Sequence, residues 1–267
     1  MALIKVDFQD RIGTITFDHE AKRNCLSRQM LEEFLAALDD LQARQSRVVV
    51  IRAQPGAKVW SAGLAIDELP RPGRDSLSYN DPLEKLLRGL QRLPAPVLAM
   101  IEGGVWGGAC GLAFVCDMLL GAPSATFAIT PTKIGEPYNI SGIMHFINIV
   151  GLHITKELFF TGQPMGAQRA HELGVLNHLL PAEGLESFTY ELAGQICRNS
   201  PMAIAVIKEQ LRILGNAHPE PGDFRAHPGA KVPSLRQPGL SGGHPGLSEE
   251  ATAGISGAIG TSRGARG

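Results

Sequence analysis

The stretch "GGVWGGACG", residues 103–111, lies between two apolar runs, and five of its nine residues are glycine. Glycine is unfavourable inside regular structure but useful where the backbone adopts unusual angles or closely approaches a ligand. The apolar run before it, 97–101, predicts a buried strand, and a helix is expected from about Gly107 to Cys116. This order places free backbone N–H groups at the start of a helix, where negative charge is favoured.

A second loop of small residues, "KVWSAGLAI" (58–66), follows another buried strand, 48–53. If the two strands are parallel neighbours, both loops emerge at the same end of the sheet. One backbone N–H from each loop could then point at a single oxygen atom, as in an oxyanion hole. The glycine stretch matches neither a P-loop nor a dinucleotide-binding fingerprint. Close packing of a helix on a strand through small residues is the alternative explanation.

The rest of the chain predicts a mixed α/β core followed by helices. Strands are expected at 3–8, 12–17, 48–53, 97–101, 118–122, 125–129 and 175–180. Helices are expected at 27–45, with Ser27 as N-cap, and at 81–93, 107–116, 141–149, 153–160, 166–172, 185–198 and 202–214. This gives a sheet-based core over residues 1–184 and a helical subdomain over 185–218.

Residues 219–267 differ from the rest in composition, because they are rich in glycine and proline and contain a single aromatic residue, Phe224. Such a segment cannot bury enough apolar surface to offset the entropy lost on ordering. The composition therefore predicts a disordered tail. The change is abrupt, so a shift of reading frame in the gene is a second explanation.

Bulk composition argues against several classes of partner. The chain has 267 residues and a formal net charge of −1, which favours neither nucleic acid nor an anionic membrane surface. No unbroken apolar run reaches the length of a membrane span, and the N-terminus does not read as a signal peptide. The four cysteines show no metal-binding spacing, which indicates reduced thiols in a cytoplasmic protein.

Taken together, the two loops resemble those of the crotonase (enoyl-CoA hydratase/isomerase) superfamily. The resemblance rests on "SAG" followed by Ile66, and on "VWGGA" about 45 residues later. It extends through "PGRDSLSYNDPL", "TPTKIGEPYNI", "KELFFT" and "PMAIAVIKEQLRILGNAH", covers roughly residues 1–218, and is closest to the methylmalonyl-CoA decarboxylases of that superfamily. It implies an α/β fold of ββα repeats arranged as a spiral, a C-terminal helical trimerisation part, and a homotrimer or dimer of trimers.

The resemblance also implies a site for an acyl-CoA thioester. By correspondence of position, the backbone N–H groups of Leu64 and Gly108 would form the oxyanion hole, and Tyr138 would lie near the reacting carbon. The residues expected to contact the substrate and its CoA are Ala62, Gly63, Ala65, Ile66, Thr130 and Lys58. Neither a metal nor a separate cofactor is expected, because CoA is part of the substrate.

The residues present favour decarboxylation over hydration. The two carboxylates that hydratases of this superfamily use correspond here to Gly111 and Thr132, and the nearby Glu102 and Glu136 are interpreted as structural. Hydration is difficult without a carboxylate base. Decarboxylation of a malonyl-type thioester needs no base, because the C–C bond that breaks supplies the electron pair. The enzyme only has to stabilise the enolate oxygen. The prediction is decarboxylation of methylmalonyl-CoA to propionyl-CoA, or of malonyl-CoA to acetyl-CoA, with Tyr138 or water as the proton donor.

The chain departs from the decarboxylase pattern at several positions. Leu64 and Ala65 stand where those enzymes have His and Asp, and Gly111 stands where they have Glu. The last helices of the family, which cover CoA and contribute a lysine, have no counterpart in the tail, so a looser oligomer is expected. Two alternatives follow: another hydratase- or isomerase-type reaction, or a catalytically impaired acyl-CoA-binding protein.

Overall fold

A computed structural model describes residues 2–68, 79–135, 138 and 140–216 of the chain. The predicted tail, 219–267, lies outside the described residues, as does Glu136. Strands β1 to β10 are Ile4–Gln9, Ile12–Phe17, Val48–Ala53, Val59–Ser61, Val97–Ile101, Gly104–Trp106, Met118–Gly121, Thr126–Ala128, Met165–Gly166 and His178–Leu179. Helices α1 to α7 are Arg28–Ala43, Pro82–Arg92, Gly108–Phe114, Ile140–Thr161, Ala167–Glu172, Ala182–Arg198 and Pro201–Asn216.

The chain repeats a strand–strand–helix unit four times, as β1–β2–α1, β3–β4–α2, β5–β6–α3 and β7–β8–α4. In the last three units the first strand joins a six-stranded sheet of order β1-β2-β3-β5-β7-β10, and the second strand joins a four-stranded sheet of order β4-β6-β8-β9. The neighbouring pairs β3–β5 and β4–β6 are parallel. Successive units therefore wind as a spiral, which confirms the predicted fold class.

Strands β4 and β6 lie where the sequence predicted only loops. The prediction was wrong there because each strand has three residues, too few for an alternating pattern, and β6 begins with a glycine, which disfavours strands. They form through tertiary pairing, in which Val59 lies opposite Gly104. The predicted glycine-rich turn is therefore shorter, and it lies between β6 and α3.

Two apolar layers cover the six-stranded sheet. Helix α1 begins at its predicted N-cap, where the Ser27 side chain accepts a hydrogen bond from the Met30 N–H. Its buried face joins the main core, in which the Trp60 ring meets Phe17 edge-on at 5.0 Å and Trp60 Nε1 donates to the Met100 carbonyl. Helix α6 packs on the opposite face of the sheet, where its buried residues include Leu185, Thr189, Ala193 and Ile196.

Helix α4 contains the one stretch in the described part of the chain that is long and apolar enough to cross a membrane. This stretch, Gly142–Thr161, reaches a mean hydropathy of 1.2, although the sequence has no unbroken apolar run there. Gly151 interrupts the helix with φ 74° and ψ 168°, so it consists of two segments, as predicted. Phe146, Leu158 and Phe159 are buried in the main core. Length and composition alone are therefore weak evidence for a membrane span.

Helix α7 is anchored by Lys208, and by Asn148 of α4, but leaves an apolar face exposed. Lys208 Nζ donates to the carbonyls of Leu90 and Ala95 and forms an ion pair with Asp117 at 2.7 Å. The exposed apolar side chains of the helix are Met202, Val206, Ile207, Leu211, Ile213 and Leu214. The helix is thus anchored on the domain while much of its apolar surface stays uncovered.

Candidate active site

Backbone hydrogen bonds in the loop after β4 leave one N–H group available. The N–H groups of Ala62 and Ala65 donate to the carbonyls of Arg23 and Leu26, respectively, and the Gly63 N–H donates to Ser61 Oγ. Within the described residues no acceptor pairs with the Leu64 N–H. The sequence predicted this N–H as a donor to the ligand, and the hydrogen bonds of its neighbours are consistent with that role.

The loop after β6 lies directly against the first loop. Gly63 has φ +82°, and a Cβ on it would collide with the Trp106 carbonyl and lie 2.8 Å from the Gly108 nitrogen. A Cβ on Gly108 would in turn lie 3.5 Å from the Leu64 nitrogen. Only glycine at position 63 permits this approach of the two loops, which brings the backbone nitrogens of Leu64 and Gly108 close to each other. The bare backbone at these positions thus allows two loops from successive repeats to meet.

The Gly108 N–H is also available for a ligand. As the first residue of α3 it has no intrahelical acceptor, and in the described part of the chain no other group accepts from it. The adjacent Gly107 N–H, by contrast, donates to the Ala128 carbonyl. Two unpaired donors, one from each loop, therefore lie side by side.

Tyr138 lies one turn of α3 from these donors. Its hydroxyl would be 3.1 Å from a Cβ placed on Gly111, so the phenol occupies the space beside that glycine. Its ring meets Phe146 and Phe159 edge-on, with centroids 5.9 and 5.1 Å away. Burial, and to a smaller extent nearby Cys110 and Glu84, raise the pKa of the Tyr138 phenol. The phenol is thus held in its protonated, donating form.

The other predicted contact residues differ in how close they lie to this centre. Gly63 and Ala65 are buried, Ala62 is half-buried, and Ile66 is largely exposed just beyond them. Thr130 is half-buried, with its hydroxyl 3.6 Å from where a Cβ on Gly107 would lie. Ala62, Gly63, Ala65 and Ile66 flank Leu64 in the chain and Thr130 lies beside Gly107, and their contacts with a substrate stay a prediction.

Lys58 stands apart from that group. It is exposed and precedes β4, whereas the donor loop follows the end of that strand. Its carbonyl accepts from the Gly104 N–H. Thr132, at the position of the second hydratase carboxylate, is exposed. The nearby carboxylate Glu102 accepts a hydrogen bond from the Gly56 N–H at 3.2 Å. Glu102 thus supports a turn, in keeping with its structural interpretation.

Helix α2 contributes two residues that the sequence did not single out. A methyl group of Leu83 would lie 3.4 Å from a Cβ on Gly108, so the first turn of α2 covers the donors. Glu84 is buried, contributes to the raised pKa of Tyr138, and lies 3.7 Å from Arg88 in an ion pair. A glutamate followed four residues later by an arginine is typical of a solvent-facing helix surface, so no sequence signal marked Glu84 as buried.

No metal site accompanies these groups in the ranges that the structure describes. There, no cluster of three or more His, Cys, Asp or Glu side chains could hold a metal ion. The cysteines are free thiols; Cys110 and Cys116 are buried, and burial raises the pKa of Cys110 to about 12.

The chain belongs to the enoyl-CoA hydratase/isomerase family, whose sequence pattern matches residues 7–220.

Similar proteins include an acyl-CoA decarboxylase. The chain is 45% identical to methylmalonyl-CoA decarboxylase of Escherichia coli (strain K12) over 209 residues, which are 78% of this chain and 80% of that protein. A crystal structure of methylmalonyl-CoA decarboxylase with 2S-carboxypropyl CoA matches with TM-score 0.80 and 43% identity, covering 84% of this chain and 85% of that one. Another, in complex with 2-nitronate-propionyl-CoA, also matches with TM-score 0.80 and 43% identity, over 83% and 85%.

Proposed function

We propose that this protein decarboxylates methylmalonyl-CoA to propionyl-CoA, with malonyl-CoA as a second possible substrate. The observation that carries the proposal is the pair of adjacent, unpaired N–H groups of Leu64 and Gly108, with Tyr138 beside them. The 45% identity to a methylmalonyl-CoA decarboxylase supports the same reaction. So does the likeness to structures of that enzyme with CoA ligands.

The reaction requires little beyond stabilisation of charge. The bond between the substrate carboxylate and its α-carbon breaks, CO2 leaves, and the electron pair moves onto the thioester oxygen as an enolate. The N–H groups of Leu64 and Gly108 donate to that oxygen, and one such donor is typically worth about 10²–10³ in rate. Tyr138 then gives its proton to the α-carbon and recovers one from solvent.

The proposal extends to the cofactor requirement, the location and the oligomeric state of the enzyme. CoA is carried by the substrate, so no separate cofactor takes part, and the enzyme works in the cytoplasm. We propose a homotrimer or a dimer of trimers, supported by the apolar surface that α7 leaves exposed. The leucine at position 64 keeps the backbone donor, since the donor is an N–H group, but it offers no side-chain hydrogen bond to a substrate carboxylate.

A hydratase- or isomerase-type reaction is the second candidate, and Glu84 is the observation that favours it. Such reactions move protons at the acyl chain and need a base. Glu84 is a buried carboxylate whose charge acts on Tyr138, so a proton-accepting group lies near the acyl site. A purely acyl-CoA-binding protein is the third outcome, in which no thioester is turned over.

Mass spectrometry after incubation with three thioesters distinguishes these functions. Methylmalonyl-CoA, crotonyl-CoA and butyryl-CoA are supplied separately to the purified protein, and a Gly108→Val variant serves as the control. The proposal predicts loss of CO2 from methylmalonyl-CoA and no gain of water by crotonyl-CoA. Hydration of crotonyl-CoA without decarboxylation would support the second candidate. No turnover, with binding of all three, would leave only the binding function.

A further inference from the structure

The loop that carries the Leu64 N–H is supported by a buried polar group from a distant part of the sequence. Asn24 is 1% exposed, and its side-chain amide donates to the carbonyls of Val59 and Trp60 at 3.2 and 3.1 Å. Its Oδ1 accepts from the His19 N–H at 2.9 Å. The amide therefore links strand β4 to the turn that precedes α1.

That turn has an unfavourable backbone conformation. Arg23 and Asn24 have φ values of 53° and 50°, in the left-handed region, which asparagine adopts more readily than most residues but arginine seldom does. Such conformations persist only where surrounding contacts hold them, and they concentrate at functional sites. Here the contacts come from β4 and from the donor loop, since the Arg23 carbonyl accepts from the Ala62 N–H at 3.0 Å.

Ser61 connects the turn to the donor loop. Its hydroxyl is fully buried, donates to the Asn24 carbonyl at 2.7 Å and accepts from the Gly63 N–H at 3.3 Å. One side chain therefore bonds to the backbone of the turn and to the glycine that allows the two loops to meet. This relay fixes the orientation of the peptide group that precedes Gly63.

The next peptide group carries the donor itself. In a trans peptide the carbonyl and the N–H point in opposite directions. The Gly63 carbonyl accepts from the Leu26 N–H at 2.8 Å, so the Leu64 N–H of the same peptide points away from Leu26. The Ala65 N–H donates to the Leu26 carbonyl on the other side of Leu64. The direction of the Leu64 donor is thus determined by the segment 23–26.

We propose that Asn24 and Ser61 are positioning residues that aim the Leu64 N–H at the substrate oxygen. The inference rests on the proposed function, since it assigns these two residues a role in the same oxyanion hole. Neither side chain donates to the substrate oxygen. Ser61 acts through the peptide between Ala62 and Gly63, and Asn24 acts through the segment 23–26, whose Leu26 N–H holds the Gly63 carbonyl. Loss of the Ser61 hydroxyl frees the Gly63 N–H and the Asn24 carbonyl, so the peptide before Gly63 and the segment 23–26 are less constrained. The Leu64 N–H is then aimed less accurately, and transition-state stabilisation falls more than substrate binding does.

A matched variant separates positioning from ordinary stabilisation. Thr189 is also fully buried, and its hydroxyl donates to a backbone carbonyl, that of Leu185, at 2.7 Å. It lies on α6, on the opposite face of the sheet from the donor loops. Thr189→Ala removes one buried hydroxyl hydrogen bond, and Ser61→Ala removes two. Thermal unfolding of both variants measures the stability that each loses, and only Ser61→Ala touches the donor loop.

Infrared difference spectroscopy measures the hydrogen bonds from the two N–H donors through the stretching frequency of the thioester carbonyl. Bound propionyl-CoA, with and without ¹³C in the thioester carbonyl, reports how strongly hydrogen bonds polarise that group. Wild type and the Thr189→Ala variant are expected to lower the carbonyl stretching frequency equally and to have the same kcat. The Ser61→Ala variant is expected to show a smaller lowering and a kcat reduced at least about tenfold, with KM changed less than about threefold.

The outcomes distinguish the inference from the proposed function. If wild type shows no lowering of the frequency, the oxyanion hole itself is wrong. If wild type shows it and Ser61→Ala matches wild type in both frequency and kcat, the positioning role is wrong while the proposed function stands. Should Ser61→Ala fail to fold, Ser61→Cys, which keeps a weak donor, is expected to give intermediate values, and wild-type values would overturn the inference.

Discussion

The Tyr138 phenol faces a glycine, Gly111, and two phenylalanine rings, so it is surrounded largely by apolar groups. Burial raises its pKa above the ordinary phenol value of about 10. A group with a raised pKa keeps its proton at every pH below that value. The phenol therefore remains a donor throughout the neutral and mildly alkaline range.

Replacing Tyr138 by phenylalanine removes the proton donor and keeps the ring packing. We expect kcat for methylmalonyl-CoA to fall on the order of 10²-fold, as is common for loss of a general acid, with KM nearly unchanged. Wild-type kcat is expected to show no alkaline loss from this residue below about pH 10. Steady-state kinetics between pH 6 and 10 measure both effects.

Tyr190→Phe is the control, because it removes a hydroxyl that hydrogen-bonds Thr14 at 2.9 Å on the α6 side of the sheet. Its kcat is expected to equal that of wild type. An alkaline limb with a midpoint below pH 10 that disappears in Tyr138→Phe would contradict the raised pKa. Equal kcat values for Tyr138→Phe and wild type would exclude the phenol as the proton donor.

Positions that present a backbone donor could be proposed from the sequence, whereas two buried side chains, Glu84 and Asn24, could not. Leu64 and Gly108 follow from the small-residue loops and the family resemblance, which fix the backbone whatever the side chain at position 64. Glu84 could not be predicted, because its burial depends on how α2 lies over α3. The contribution of Asn24 was missed for a similar reason, since its partners in β4 are more than 30 residues away.

Among the elements, long periodic segments were predicted well and short paired ones were not. The pattern of α1 and its N-cap matches the structure because local spacing alone decides both. Strands β4 and β6 depend on pairing across the spiral and carry no local signal. Helix α7 was predicted over residues 202–214, and the structure adds that Lys208 anchors it while several of its apolar residues stay exposed.

The exposed face of α7 predicts self-association. Leu211 is 63% exposed and lines a groove of about 440 Å³ with Ile204, Ile207 and Lys208. A charge placed at this position in an interface would be buried without a partner, which is costly. We expect wild type to sediment as a trimer or hexamer at micromolar concentration, and Leu211→Glu to sediment as a folded monomer.

The matched control on the same helix is Gln210→Glu, which adds the same charge at an exposed polar position. It is expected to leave the sedimentation coefficient unchanged, and circular dichroism of both variants checks that the helix content is retained. A wild-type protein that sediments as a monomer at high micromolar concentration would show that this face has no partner copy.

At the scale of the whole molecule, the spiral brings the two donors together. Each of the last three ββα units places its first strand in the large sheet and its second strand in the small one, and a loop follows the second strand. Because β4 and β6 are parallel neighbours, their loops end at the same side, where Gly63 admits the approach of Gly108. The tail over 219–267 lies outside the described residues, and its disorder stays a prediction.

The central claim is that the Gly108 N–H, with that of Leu64, stabilises the enolate oxygen. Its most direct test is kcat for methylmalonyl-CoA measured beside thermal unfolding for Gly108→Val. Because a Cβ at position 108 already lies 3.3 Å from a Leu64 side-chain carbon and 3.5 Å from the Leu64 nitrogen, the valine methyl groups would fill the space of the oxygen. Gly194→Val, on α6, is the control for a helical glycine that has only one side-chain neighbour, 4.0 Å away.

We predict that Gly108→Val remains folded at assay temperature and loses at least about 10² in kcat, as expected for one oxyanion donor. Gly194→Val is predicted to keep wild-type kcat. If the glycine serves only to pack the helix on the strand, kcat of Gly108→Val would fall in proportion to the folded fraction alone. A Gly108→Val protein that is stable and fully active would contradict the oxyanion hole and the decarboxylase function together.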